Sequence, residues 1–162
     1  PLHLVSYWGM EQSWANTLVA LSRVSGLFMA LLAGWVTDRL GPKRALKYTF
    51  MASGAATILL GTVPGSLIVP LVFVQPMLAA CFFPAAFAAV SLIGSPETKN
   101  VAVSFTLPVG FLLGSGGVPA GIGVLGEAGM FAEGIALAGV VILSGVVLAH
   151  FLRFYDTNPK KP

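Results

Sequence analysis

The chain has 162 residues, of which 56% are hydrophobic and 9% charged, and its mean hydropathy is +0.88. An ordinary soluble domain carries about 25% charged residues, so this composition excludes a soluble globular domain and a disordered chain. Nine Lys and Arg against six Asp and Glu place the pI near 9.3. That excess is too small for a nucleic-acid binder and in a membrane chain falls in cytoplasmic loops. Cys81 is the single cysteine, so no disulfide forms within the chain.

A membrane-crossing helix needs about 20 largely apolar residues, and the sequence predicts an all-α transmembrane bundle with five such spans. Residues Pro1–Tyr7 read as the end of a preceding span. They lack the charged segment and apolar core of a signal peptide, so the sequence reads as the C-terminal part of a larger protein. The five spans cover Ala15–Val36, Ala45–Val63, Ser66–Ile93, Val101–Leu125 and Met130–Leu152. Five spans put alternate loops on opposite sides. One side collects Arg39, Lys43, Arg44, Lys47, Lys99, Arg153, Lys160 and Lys161; the other holds Glu11, Glu127 and Glu133. By the positive-inside rule the cationic side is cytoplasmic, with residues 155–162 as a cytoplasmic tail.

In span one, Trp14 and Trp35 stand 21 residues apart, about 32 Å along a helix, which places both indoles at the interfaces. Ser22, Gly26, Ala30 and Gly34 recur every fourth residue, a spacing that lets another helix approach closely. Gly110, Gly114, Gly117 and Gly121 repeat the device more loosely in span four. Pro70, Pro76 and Pro84 in span three, and Pro108 and Pro119 in span four, predict kinks. Ser95, Pro96 and Glu97 form a helix-start signature. Span five, aliphatic and glycine-rich, reads as peripheral and lipid-facing, with His150 at its cytoplasmic boundary.

Two residues stand out as substrate contacts. Arg23 is the one charge well inside a span, about 13 Å past Trp14. Such a charge costs about 2.5–3.5 kcal/mol on insertion scales, so it faces a cavity or a partner, and the functional reading is an anchor for an anionic group such as a carboxylate. Gln75, beside Pro76, offers two donors and an acceptor, either to substrate or to backbone groups freed by the proline. Asn16, Ser25, Ser104 and Thr106 are weaker candidates, because Ser and Thr in bilayer helices mostly bond their own backbone. An intramembrane enzyme lacks support: His3 and His150 lie at opposite ends, no His-Glu-x-x-His occurs, and Ser115 in Leu113-Gly-Ser-Gly-Gly117 lacks the first glycine of a nucleophile elbow.

The segment Gly34-Trp-Val-Thr-Asp38-Arg39-Leu-Gly41-Pro42-Lys43-Arg44 resembles the signature loop of the major facilitator superfamily: a glycine, three residues, an aspartate, a basic residue, one residue, a glycine and a basic cluster. Gly34, Asp38, Arg39, Gly41, Lys43 and Arg44 match; Pro42 departs. The resemblance implies a multi-pass secondary transporter whose second six-helix half this chain supplies, with a loop that latches in one access state. It further implies a small-molecule substrate between two halves, the bilayer and an N-terminal half as partners, and no cofactor, metal or nucleic acid. A small organic anion is the substrate expected from Arg23, and a bacterial inner membrane the expected location. A non-transporting relative or partner subunit is the alternative, since half a transporter builds no two-sided site without another half.

Overall fold

The computed structural model describes residues 1–63, 65–93 and 96–154, and of residues 96–99 and 102 the backbone alone. Ser95, the expected helix cap, and the expected cytoplasmic tail 155–162 lie outside the described residues. Every element among the described residues is helical: α1 Leu2–Ser6, α2 Gln12–Leu40, α3 Pro42–Thr62, α4 Ile68–Ala80, α5 Phe82–Ser91, α6 Pro96–Phe111, α7 Val118–Glu127 and α8 Phe131–Phe151. A 3₁₀ turn at Gly65–Leu67 precedes α4, and a π-helical turn at Leu112–Gly117 joins α6 to α7. Four segments are long and apolar enough to cross a membrane: Gln12–Leu40, Gly65–Ser91, Val103–Glu127 and Phe131–Phe151. The chain thus has the make-up of a helical membrane protein. Helix α3 is 21 residues long but carries Lys43, Arg44 and Lys47 near its start and is not among the four.

The segment 37–47, expected as a loop, is almost entirely helical. Arg39, Lys43 and Arg44 do not break a helix; lysine and arginine are good helix formers. The break is confined to Gly41, which has φ +79° and ψ 148°, a conformation open to glycine alone at low cost. Its N–H donates to the Thr37 carbonyl at 2.9 Å, and Pro42 starts α3 at a position where its missing N–H costs nothing. Helix α2 therefore runs 29 residues, about 43 Å, longer than a bilayer core of about 30 Å.

The prolines act unequally. Pro70 sits in the first turn of α4, where no helical donor is lost. Pro84 accounts for the break between α4 and α5: it cannot donate to the Ala80 carbonyl, and the chain turns at Cys81, whose N–H reaches the Leu78 carbonyl at 3.2 Å. Pro76 stays inside α4 and Pro108 inside α6. Pro119 stands in the first turn of α7, directly after the π-helical turn. Widening to the π form is one way a helix absorbs such a lost bond.

The tightest seam is α3 against α8, running antiparallel. A Cβ placed on Gly139 would lie 2.7 Å from the Ile58 amide nitrogen and 2.9 Å from the Gly54 carbonyl oxygen. One on Gly61 would meet the Ala132 carbonyl at 2.5 Å, and one on Gly145 the Phe50 ring at 2.8 Å. Close approach of glycine faces is how helices bind in lipid, where burial from water supplies no drive. At one end of this seam Lys43 Nζ donates to the Leu152 carbonyl at 2.8 Å, and Lys47 Nζ lies 3.0 Å from His150 Nδ1. Span five is therefore peripheral on one side only: Gly134, Gly139, Gly145 and Ala149 are buried while Leu148 and Phe151 are exposed.

The four-residue glycine pattern of span four has a different fate from the one expected. A Cβ on Gly110, Gly114 or Gly121 would meet nothing within 4 Å, so these glycines mediate no close approach among the described residues. In span one the pattern holds in part. Ser22 and Gly26 are buried, and a Cβ on Gly26 would lie 3.3 Å from the Pro76 carbonyl oxygen, whereas Gly34 is open.

Two small apolar cores form at opposite ends of the bundle. One gathers Leu4, Ala15, Leu18, Ile68 and Val72; the other gathers Ala45, Leu46, Ala85, Ala89 and Ala149. Between them lie Ser22, Ser53 and Thr57, all buried. The apolar ends thus bracket a polar layer, and the candidate site sits in that layer.

Candidate functional site

Helix α2 brings Arg23 and helix α4 brings Gln75 to the same place. Both line a cavity of about 470 Å³ that also meets Gly26, Leu27, Pro76 and Phe83. Both also line a second cavity, of about 240 Å³, with His3, Ser22, Val72 and Ile135. Arg23, Gln75 and Pro76 are common to the two and form the waist between them. The close α2–α4 approach that makes this waist comes from Gly26 seated against the Pro76 carbonyl.

Gln75 is oriented from α3. Its Nε2 donates to Thr57 Oγ1 at 3.2 Å. Thr57 Oγ1 in turn donates to the Ser53 carbonyl at 2.7 Å, and Ser53 Oγ to the Thr49 carbonyl at 2.7 Å. These back-bonds satisfy buried hydroxyls within the helix that carries them. Pro76 adds a further polar group. Lacking an N–H, it leaves the Val72 carbonyl without its usual helical donor, and Val72 lines the second cavity.

His3, which the sequence sets only at the opposite end of the chain from His150, lies in the wall of the second cavity because α1 folds back onto α2. Its Nε2 accepts a hydrogen bond from Trp8 Nε1 at 3.2 Å, its ring stacks on Tyr7 with centroids 5.2 Å apart, and Nδ1 is buried without a hydrogen-bond partner. Separation along the chain hid this convergence, and no local pattern marks it. The weaker candidates do not join the site. Ser25 Oγ donates to the Ser22 carbonyl at 2.7 Å, and Asn16, Ser25, Ser104 and Thr106 line neither cavity.

The residues of the Gly34–Arg44 motif cluster at the opposite end of α2 from Glu11. Gly34 is half-buried and Asp38 exposed. The Arg39 guanidinium lies 4.9 Å from the centre of the Trp35 ring, a cation–π arrangement. Gly41 supplies the turn, Lys43 holds the end of α8 through the Leu152 carbonyl, and Arg44 is exposed. Lys47, not foreseen as part of this group, meets His150 of α8. Among the described residues no group of three or more His, Cys, Asp or Glu is placed to hold a metal ion. Compared with protein-family models, with curated proteins and with solved structures, the chain matches none.

Proposed function

We propose that the chain is the second half of a secondary transporter of the major facilitator type, moving a small organic anion by alternating access. The observation that carries this reading is the placement of Arg23. A cation deep in an apolar span lines both cavities, together with Gln75, in a polar layer between two apolar cores. An intramembrane cation with a cavity on either side is suited to bind a carboxylate and release it. The resemblance of Gly34–Arg44 to the signature loop supports the family. In this reading α3 is a fifth span, the Lys43 end is cytoplasmic by the positive-inside rule, and the bilayer is a cell membrane, that of a bacterium by the plainest reading.

One observation keeps a partner-subunit reading in view. Residues 104–121 are exposed all round, an apolar helical surface left for lipid or for another bundle. The test is uptake of small labelled carboxylates into vesicles from cells expressing the native gene. Replacing Arg23 by Gln is expected to lower apparent affinity about 10- to 100-fold, the worth of a charge-assisted hydrogen bond, while Arg23→Lys retains part of it. Uptake unchanged by Arg23→Gln would refute the anchor, and no saturable uptake of any anion would favour the partner subunit.

A further inference from the structure

We infer that the site selects anions carrying a hydrogen-bond donor beside the carboxylate, a hydroxy acid in preference to the plain acid. The inference rests on the reading of Arg23 as the anion anchor. It follows from the direction of one buried hydrogen-bond chain. Thr57 has a single hydroxyl hydrogen, and that hydrogen is committed to the Ser53 carbonyl at 2.7 Å. Toward Gln75 the hydroxyl oxygen therefore acts only as an acceptor. Gln75 must present its NH₂ to Thr57, as the 3.2 Å contact from Nε2 shows. The amide cannot turn over without setting its carbonyl oxygen against an oxygen that has no hydrogen to give. Gln75 Oε1 is thus the atom left free on a residue that lines both cavities.

The site then offers guanidinium donors from Arg23 and an oriented acceptor from Gln75. Val72, whose carbonyl Pro76 deprives of its helical donor, lines the second cavity. A plain carboxylate satisfies Arg23 and leaves the Gln75 acceptor without a donor from the ligand. A carboxylate with an adjacent hydroxyl satisfies both.

The experiment compares glycolate with acetate, which differ by that hydroxyl alone. The protein expressed from the native gene is embedded in nanodiscs, and the two anions compete against labelled glycolate. Glycolate is expected to bind about five- to tenfold more tightly, the worth of one added neutral hydrogen bond. Replacing Gln75 by Met removes the acceptor, and the ratio is expected to fall to about one. Thr57→Val frees the amide to turn and is expected to bring the ratio to about two, while Thr57→Ser keeps the acceptor and the wild-type ratio. Equal binding of the two anions by the wild-type chain would overturn the inference and leave the anion reading standing. So would a preference that survives Gln75→Met. Binding of neither anion, or binding indifferent to Arg23→Gln, would overturn the anion reading and the inference with it.

Discussion

Replacing Gly139 by Ala is the sharpest probe of the architecture. The added methyl would stand 2.7 Å from the Ile58 nitrogen and 2.9 Å from the Gly54 oxygen, against 3.4–4 Å for ordinary contact. Both obstacles are backbone, so no rotamer change relieves them, and α3 and α8 must part by 0.3 Å to reach even a tight contact (3.0 minus 2.7) and by 0.7 Å to reach an ordinary one (3.4 minus 2.7). Overpacking of this kind costs about 1–3 kcal/mol. Gly54→Ala is expected to cost less, about 1 kcal/mol, because its nearest obstacle is the movable Leu143 side chain at 2.7 Å and the Gly139 carbonyl stands farther off at 3.0 Å. Gly121→Ala meets nothing within 4 Å and is expected to be neutral or to stabilise by up to about 1 kcal/mol through helix propensity. Reversible unfolding in mixed micelles by added anionic detergent gives the three values. A Gly139→Ala protein as stable as wild type, or a Gly121→Ala protein as damaged as Gly139→Ala, would refute the seam described here.

Two further outcomes test local claims. If Pro84 breaks span three, Pro84→Ala supplies the missing donor to the Ala80 carbonyl and joins α4 to α5. The new amide at position 84 is then expected to resist hydrogen exchange, and fast exchange there would assign the break to another cause. Lys43→Met removes a charge-assisted bond to the end of α8. Since Lys43 is half-exposed, the loss is about 1 kcal/mol, seen as roughly fivefold faster exchange of the Phe151–Phe154 amides. Unchanged exchange would show that the tether contributes nothing.

Much of the fold is legible in the chain because bilayer helices obey a length rule. Each apolar run of about 20 residues became a helix, interrupted only where proline or glycine forces it. The misreadings have physical causes. Charge at 37–47 suggests a loop, but charge ends the hydrocarbon layer without ending a helix, and only Gly41 does that. Regular spacing suggests packing glycines. In span four that regularity meets no partner, while the seam is made by Gly54, Gly61, Gly139 and Gly145, which follow no four-residue rule. Which glycine packs depends on what the opposite helix presents, and that is non-local information. Arg23 announced itself by its charge alone. Its meeting with Gln75, the Thr57 hydroxyl that orients Gln75, and the arrival of His3 are tertiary facts with no local signal.

The division of labour within the bundle follows from where backbone touches backbone. Along α3 and α8 the glycine faces leave no room, and lysines tether the end, so this pair is expected to move as one body. Along α2 and α4 the helices pack at one end through Ala15 and Leu18 against Ile68 and Val72, and approach again at Gly26 against Pro76, where a cavity lies on either side. In the proposed mechanism that second contact is the fulcrum. Pro76 sits at that point with one helical bond already missing, so bending there gives up less than bending elsewhere in α4. Arg23 and Gln75 flank the same point, and in the proposed function an anion bound between them would lie where a small rotation of α4 opens one cavity as it narrows the other. Thr57 belongs to the rigid pair and Gln75 to the bending helix. The hydrogen bond that orients the acceptor therefore also couples the site to the part that stays still, and it is the bond most exposed to strain when α4 moves. Trapping Gln75 against Thr57 should accordingly hold α4 in one position, and loosening it with Thr57→Val should broaden the positions α4 samples. Spin-label distances between α3 and the far end of α4 would show this as a wider distribution, and an unchanged distribution would place the fulcrum elsewhere.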